Sequence, residues 1–201
     1  MTTATPTDPV PGKRPAPNTR LIEMISDLAP GQALELGCGN GGDALWLAQR
    51  GWKVTALDIS ATSVDRLTQH SQEAGLDDRI TAKRTDLNQG LPSGRFNLVN
   101  AHYLHAVSGL DRAGLFRNAA HALQPGGYLL IVDHGSTAPW SWNRDPDVHY
   151  PSPQEVSADI DLDPSTWQIL VADAQQRMAT GPNGRAAEVT DHILMIQRTE
   201  R

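Results

Sequence analysis

The chain has 201 residues, 39% apolar and 20% charged, with a net charge of -6 and a pI near 5.6. That length suits one domain with a substantial core, and the acidic balance argues against nucleic acid as a substrate, because phosphate backbones are bound by basic surfaces. A single cysteine, Cys38, excludes an internal disulfide; no apolar run reaches membrane-spanning length, and the polar start Met1 to Thr7 lacks a signal-peptide core, so a cytoplasmic protein without membrane partners is expected.

Five of the fourteen prolines fall in residues 6 to 17, among Thr, Lys and Arg. Residues 1–17 therefore read as a flexible arm without helix or strand, either a plain tail or a flap over an occupied site, and the folded domain is expected over 18–201. Leu21, Met24, Ile25 and Leu28 recur at helical spacing, with Asn18 or Thr19 as N-cap and Pro30-Gly31 as the stop.

Ala33-Leu34-Glu35-Leu36 is an apolar run that carries one acid and breaks into Gly37-Cys38-Gly39-Asn40-Gly41-Gly42. A strand entering a glycine turn lets a ligand approach the backbone, and the helical pattern of Ala44 to Gln49 that follows aims free amides of a helix N-terminus at it. Gly37, Gly39 and Gly42 fit the dinucleotide G-x-G-x-x-G spacing, with Asp58 about twenty residues on, so the glycines alone leave the nucleotide open. Glu35 favours one answer. A carboxylate two residues before the first glycine sits badly beside a pyrophosphate and suits a ligand that presents an ammonium group, as S-adenosylmethionine does.

Trp52 to Leu57 alternates as a second strand ending at Asp58-Ile59; Val64, Leu67 and Ser71 mark a helix; Ile80 to Arg84 is a third strand closing at Asp86-Leu87-Asn88. Acids thus stand at three successive strand ends. Arg95 to Ala101 is the fourth strand and runs into His102-Tyr103-Leu104-His105, at the edge where open parallel sheets bind ligands. A helix around Leu115, Ala119, Ala122 and Leu123 leads through a Pro125-Gly126-Gly127 turn into a fifth strand that ends at Asp133-His134-Gly135. Residues 136–153, with Trp140, Trp142, His149 and Tyr150, are too aromatic for a disordered loop and read as a packed lid. A helix from Pro153 to Ile160 capped by Ser152, a strand from Trp167 to Ala172, a turn at Gly181 to Gly184 and a strand from Val189 to Ile196 complete the chain. The fold class that follows is α/β: a single-domain, doubly wound, mostly parallel seven-stranded sheet with an antiparallel edge hairpin at the C-terminus.

Glu35-x-Gly37-x-Gly39-x-Gly41 resembles the first motif of the class I (Rossmann-like) S-adenosylmethionine-dependent methyltransferases. The resemblance runs from about Asn18 to Arg198 and looks closest to the small tellurite-resistance and thiopurine-type enzymes, through the Gly-Asn-Gly loop, Asp86-Leu87-Asn88, Pro-Gly-Gly-Tyr and Thr-Gly-Pro-Asn-Gly. It implies S-adenosylmethionine as cofactor, with Glu35, Gly37, Cys38, Gly39 and Gly41 in the first motif, Asp58 on the ribose hydroxyls, Asp86 and Leu87 at the adenine, and Ile59, Asn100, Ala101 and His102 completing the set. The Asn-Pro-Pro-Tyr signature of amino-methylating nucleic-acid enzymes is missing, and the implied acceptor is a small molecule. Methyl transfer needs a base only when the acceptor arrives protonated, and the catalytic candidates are then His105, Tyr103 and His134, with His102 also within reach and His105 expected nearest the methyl. A metal cluster of His102 and His105 with Asp133, His134 or His149 is not expected, since displacement at a sulfonium does not call for one. A catalytically silent S-adenosylmethionine-binding protein and a nicotinamide-dependent oxidoreductase remain as alternatives, and nothing in the sequence speaks to oligomeric state.

Overall fold

Two short apolar runs start the sheet: β1 (Gln32–Leu36) and β2 (Lys53–Asp58) pair in parallel from Gln32 opposite Lys53 to Leu36 opposite Leu57. In the computed structural model, which describes residues 15–104, 109–141, 145 and 147–199, β3 (Ile80–Arg84) adds outside β2. On the other side of β1 lie β4 (Phe96–His102) and then β5 (Leu123–His134), both parallel. β7 (Ala186–Arg198) runs antiparallel to β5, and β6 (Trp167–Thr180) forms the edge, giving the order β3-β2-β1-β4-β5-β7-β6. The expected architecture is present.

Side chains alternate across a strand, so each strand feeds two layers. One face presents Ala33, Val54, Ala56, Leu98, Leu130 and Val132 to helices α1 (Thr19–Ile25), α2 (Gly42–Gln49) and α3 (Ala61–Glu73), through Leu21, Ile25, Leu47 and Leu67. The opposite face presents Leu34, Leu36, Val99, Leu129 and Ile131 to α4 (Arg112–His121) and α5 (Pro153–Ile160), through Phe116, Ala119, Val156 and Ile160. Burial of each large apolar side chain favours the fold by about 1.5–3 kcal/mol. The caps follow the sequence: Asn18 accepts from the Arg20 amide, and Ser152 with Glu155 forms a reciprocal capping box.

Three expectations change. Pro125-Gly126-Gly127 does not precede the fifth strand but lies within it, as a bulge: pairing steps from Phe96–Leu123 to Leu98–Tyr128, leaving extra residues on β5. Gly127 is needed there because a Cβ would stand 2.9 Å from the carbonyl oxygens of both Gln124 and Phe96. The hairpin is also much longer than its apolar core: β6 continues through Asp173 to Thr180, where mainly exposed polar side chains carry no apolar signal but the backbone still pairs with β7. Finally, none of the described residues of 136–153 lines the cleft, where a lid would stand. The Trp140 indole sits on Gly181 at the hairpin turn, the Thr137 hydroxyl bonds that of Tyr150, and His192 Nδ1 bonds the Pro151 carbonyl. Trp142 lies outside the described residues.

Candidate functional site

The strand order reverses between β1 and β4, and in an open parallel sheet the crevice beyond the carboxyl ends at that reversal is where a ligand fits. A cleft of about 530 Å³ lies there, with Gly37 to Asp43 after β1, His102 and Tyr103 at the end of β4, and Pro15 to Asn18 on its rim. The loop after β1 turns through Gly37, Gly39 and Gly41, with φ of 78°, 49° and 81°, conformations that a side chain resists. Two contacts brace it: the Gly37 and Cys38 amides donate to the Leu57 carbonyl, and the Gly39 amide donates to Asp58 Oδ2 at 2.8 Å. Asp58 Oδ1 accepts from the Ser60 amide at 2.9 Å, so both oxygens hold backbone while each keeps capacity for a further donor. Gly41 caps α2 without a side chain, which leaves the first turn of that helix open to the cleft.

By the same alternation, Glu35, Asp58, Asn100 and His102 share one face of the sheet at its carboxyl edge. Glu35 is 3% exposed, and burial, reinforced by Asp43 and Asp58, pushes its carboxyl well above the usual carboxylate range. Its Oε2 has no hydrogen-bond partner, nor has either polar atom of the fully buried Asn100 amide. Buried polar groups in a native protein are otherwise almost always paired, so these two stand out, Glu35 lining the cleft and Asn100 buried beside it. Cys38 packs in the core beneath the loop, and burial pushes its thiol up, away from thiolate chemistry.

The side chains after β4 divide into two systems. His102 Nδ1 lies 2.6 Å from Asp43 Oδ2, while the other oxygen of Asp43 accepts from the Asn18 amide at 2.5 Å. The end of the arm is thereby fixed on the cleft, with the Ala16 carbonyl over Gly42, where an added Cβ would stand 2.3 Å from that oxygen. Tyr103 has the left-handed φ of 52° and turns its hydroxyl the other way. It donates to Asp191 Oδ1 at 2.9 Å and accepts from Arg177 Nη2 at 3.1 Å, and its ring stacks on His134 at 4.2 Å between centroids. The fully buried Asp191 also accepts from Arg20 Nε of α1 and Arg177 Nε, tying the first helix to the edge hairpin.

Of the residues singled out from sequence, Glu35, Gly37, Cys38, Gly39, Gly41, His102 and Tyr103 meet around one cleft. Asp58 joins through Gly39, and Asn100 and Ala101 lie buried in β4. Ile59, Asp86 and Leu87 do not line it; they stand further along the same edge, after β2 and β3. Ile59 is exposed, and Asp86 caps a single 3-10 turn by accepting from the Asn88 amide. Burial, the largest effect, and Asp191 push the Tyr103 hydroxyl up, which makes it a poor proton acceptor at neutral pH. His105 lies outside the described residues. Asp133 faces the opposite layer and pairs with Arg112 of α4, while His149 pairs with Glu155, and among the described residues no three ligand-type side chains converge as a metal site would require. Asp43 was missed: an acid in the first turn of a helix reads as an ordinary dipole partner, and nothing in the sequence places it against a residue 59 positions on.

A glycine-turn crevice at the reversal of a doubly wound sheet, with a buried acid at its base, defines a nucleotide-cofactor-binding α/β protein. Residues 33–127 match the family model described as a methyltransferase domain. The chain is 34% identical over 122 residues to 27-O-demethylrifamycin SV methyltransferase of Amycolatopsis mediterranei, covering 57% of this chain and 44% of that one. It is 30% identical over 125 residues to ribosomal RNA small subunit methyltransferase C of Alcanivorax borkumensis, covering 60% and 37%. The chain thus spans less than half the length of either relative. TehB from Haemophilus influenzae superimposes with a TM-score of 0.66 at 19% identity over 90% of this chain and 62% of that one, a likeness of fold. Over residues 33–127 the chain is thus similar to S-adenosylmethionine-dependent methyltransferases, on the Rossmann-like fold they share, and the likeness implies S-adenosylmethionine as cofactor.

Proposed function

We propose that the protein transfers a methyl group from S-adenosylmethionine to a small-molecule acceptor. The observation that carries this reading is Glu35: a buried carboxylate with an unpaired oxygen, at the base of a glycine turn, favours a ligand with an ammonium group and disfavours a pyrophosphate. The cofactor, when bound, supplies a methyl carbon activated by a positively charged sulfur, and the protein's work is alignment and exclusion of water. Glu35 and Asn100 would hold the amino-acid end, the turn from Gly37 to Gly41 would lie against the backbone of the ligand, and Asp58, with hydrogen-bonding capacity left, would take ribose hydroxyls. Ile59, Asp86 and Leu87 continue the edge in the direction an adenine would extend.

The acceptor side of the cleft is formed by His102, Tyr103 and the end of the arm, with His134 stacked behind Tyr103. The rings of His102, Tyr103 and His134 there suit a small, flat or polarisable molecule, and the net charge of -6 supports a small acceptor over nucleic acid. Incubation with methyl-labelled S-adenosylmethionine and separate pools of small phenols, thiols and amines, beside a ribosomal RNA control, tests the reading. Label in a small-molecule pool is expected; label in RNA alone would overturn it.

A further inference from the structure

His102 is 6% exposed at its side chain, yet only one of its ring nitrogens is engaged. Nδ1 meets Asp43 Oδ2 at 2.6 Å; Nε2 is buried and has no hydrogen-bond partner, and the residue lines the cleft. A histidine buried only for packing would gain by pairing both nitrogens, since a buried polar atom left bare costs about 1–3 kcal/mol. The partner on Nδ1 also fixes the chemistry of the bare atom. An ionised carboxylate only accepts, so Nδ1 carries the proton and, in the neutral ring, Nε2 carries the lone pair. Asp43 sits in the first turn of α2 and is held in place on its other oxygen by the Asn18 amide, so the pair is assembled from three segments of the chain. Among the described residues, the other titratable groups around it have other engagements or lie deeper: the Tyr103 hydroxyl is held by Asp191 and Arg177, and Glu35 lies at the base of the cleft. His134 stacks on the far side of Tyr103.

We propose that His102 is the catalytic base of this site, with Asp43 as its positioning residue, and that the acceptor is accordingly a hydroxyl compound, a phenol or alcohol that arrives protonated. This rests on the methyltransferase reading above and narrows it. The acceptor O–H proton passes to His102 Nε2 as an oxygen lone pair forms the bond to the methyl carbon, whose bond to sulfur breaks with its electron pair left on sulfur. Asp43 stabilises the imidazolium until its proton leaves to water. A thiolate or chalcogen anion would need no such base, and a buried pair of this kind would then serve nothing in the reaction.

Nitrogen-15 spectra of the imidazoles in the free protein test the geometry without turnover. The His102 ring is expected with its proton on Nδ1, and Asp43→Asn should weaken that preference, because an amide can present a donor where the carboxylate only accepts. A proton on Nε2, or a tautomer indifferent to Asp43→Asn, overturns the assignment. With phenol, catechol and benzyl alcohol as hydroxyl probes and 2-mercaptoethanol as the thiol probe, His102→Gln should lower kcat for hydroxyl methylation by about 10²- to 10⁴-fold while S-adenosylhomocysteine still binds. Asp43→Asn should lower kcat for the same probes while leaving KM and S-adenosylhomocysteine affinity near those of the wild type. Methylation of the thiol alone, or hydroxyl methylation unchanged in His102→Gln, sinks the base and leaves the methyltransferase reading standing. Failure of the wild-type protein to bind S-adenosylhomocysteine would instead sink that reading itself.

Discussion

Glu35 on β1 and Asn100 on β4 are register partners in the centre of the sheet, and both side chains are buried with polar atoms that meet no partner. Unmade hydrogen bonds at such depth cost about 1–3 kcal/mol for each group, which the free protein tolerates at the point where the strand order reverses. On the proposed function, the cost falls when the cofactor brings donors and acceptors to the same place.

Glu35→Gln should therefore separate stability from binding. The folded-state carboxyl is held above its unfolded value, so the folded protein binds the extra proton and wild-type stability declines as pH rises from about 4.5 toward the raised titration point. The glutamine variant lacks that decline. Denaturant titrations at pH 4.5 and pH 8 should show it gaining on the wild type at the higher pH, while its affinity for S-adenosylhomocysteine falls. Equal pH dependence in both proteins would contradict the burial argument.

Asp58 braces the glycine turn through Gly39 and also starts α3 through the Ser60 amide. Asp58→Ala should weaken cofactor binding by about 1–3 kcal/mol, the cost of losing hydrogen bonds to a charged acceptor. It should also speed amide exchange at Gly39 in the free protein, which a residue touching ligand alone would not do.

Asp191 is fully buried and receives Arg20, Arg177 and the Tyr103 hydroxyl. Removing its charge leaves two guanidinium groups facing a neutral amide, so Asp191→Asn should destabilise the fold by about 3–5 kcal/mol in chemical denaturation. Tyr103→Phe removes two hydrogen bonds from the same cluster, one to Asp191 and one from Arg177, and should cost about 1–3 kcal/mol. Because the Tyr103 hydroxyl is committed to this cluster, the phenylalanine variant should retain most methyl-transfer activity; loss comparable to that of His102→Gln would reassign the base.

Much of this was legible from the chain because it is encoded locally. The apolar run into Gly37, the acids after three strands, the alternation along β2, and the Ser152 cap each depend on residues a few positions apart. What stayed hidden depends on distance in sequence. Asp43 finds His102, and Asp191 gathers Arg20 and Tyr103, only after the sheet has brought remote segments together. The outer half of β6 was missed for another reason: its strand pairing is a backbone property, and mainly exposed side chains from Asp173 to Thr180 gave no apolar alternation. In β5, a Pro-Gly-Gly sequence fits a turn and a bulge equally, and the pairing of Leu123 with Phe96 decided for the bulge. Aromatic content in 136–153 was read as a lid, but Trp140 packs on Gly181 of the hairpin.

Isothermal calorimetry of the wild-type protein with S-adenosylhomocysteine and, separately, with NAD tests the account at its centre. The buried Glu35 carboxylate beneath the glycine turn predicts saturable one-to-one binding of S-adenosylhomocysteine, weakened in Glu35→Gln, and no measurable heat with NAD. Saturable NAD binding, or S-adenosylhomocysteine affinity indifferent to Glu35→Gln, would contradict it.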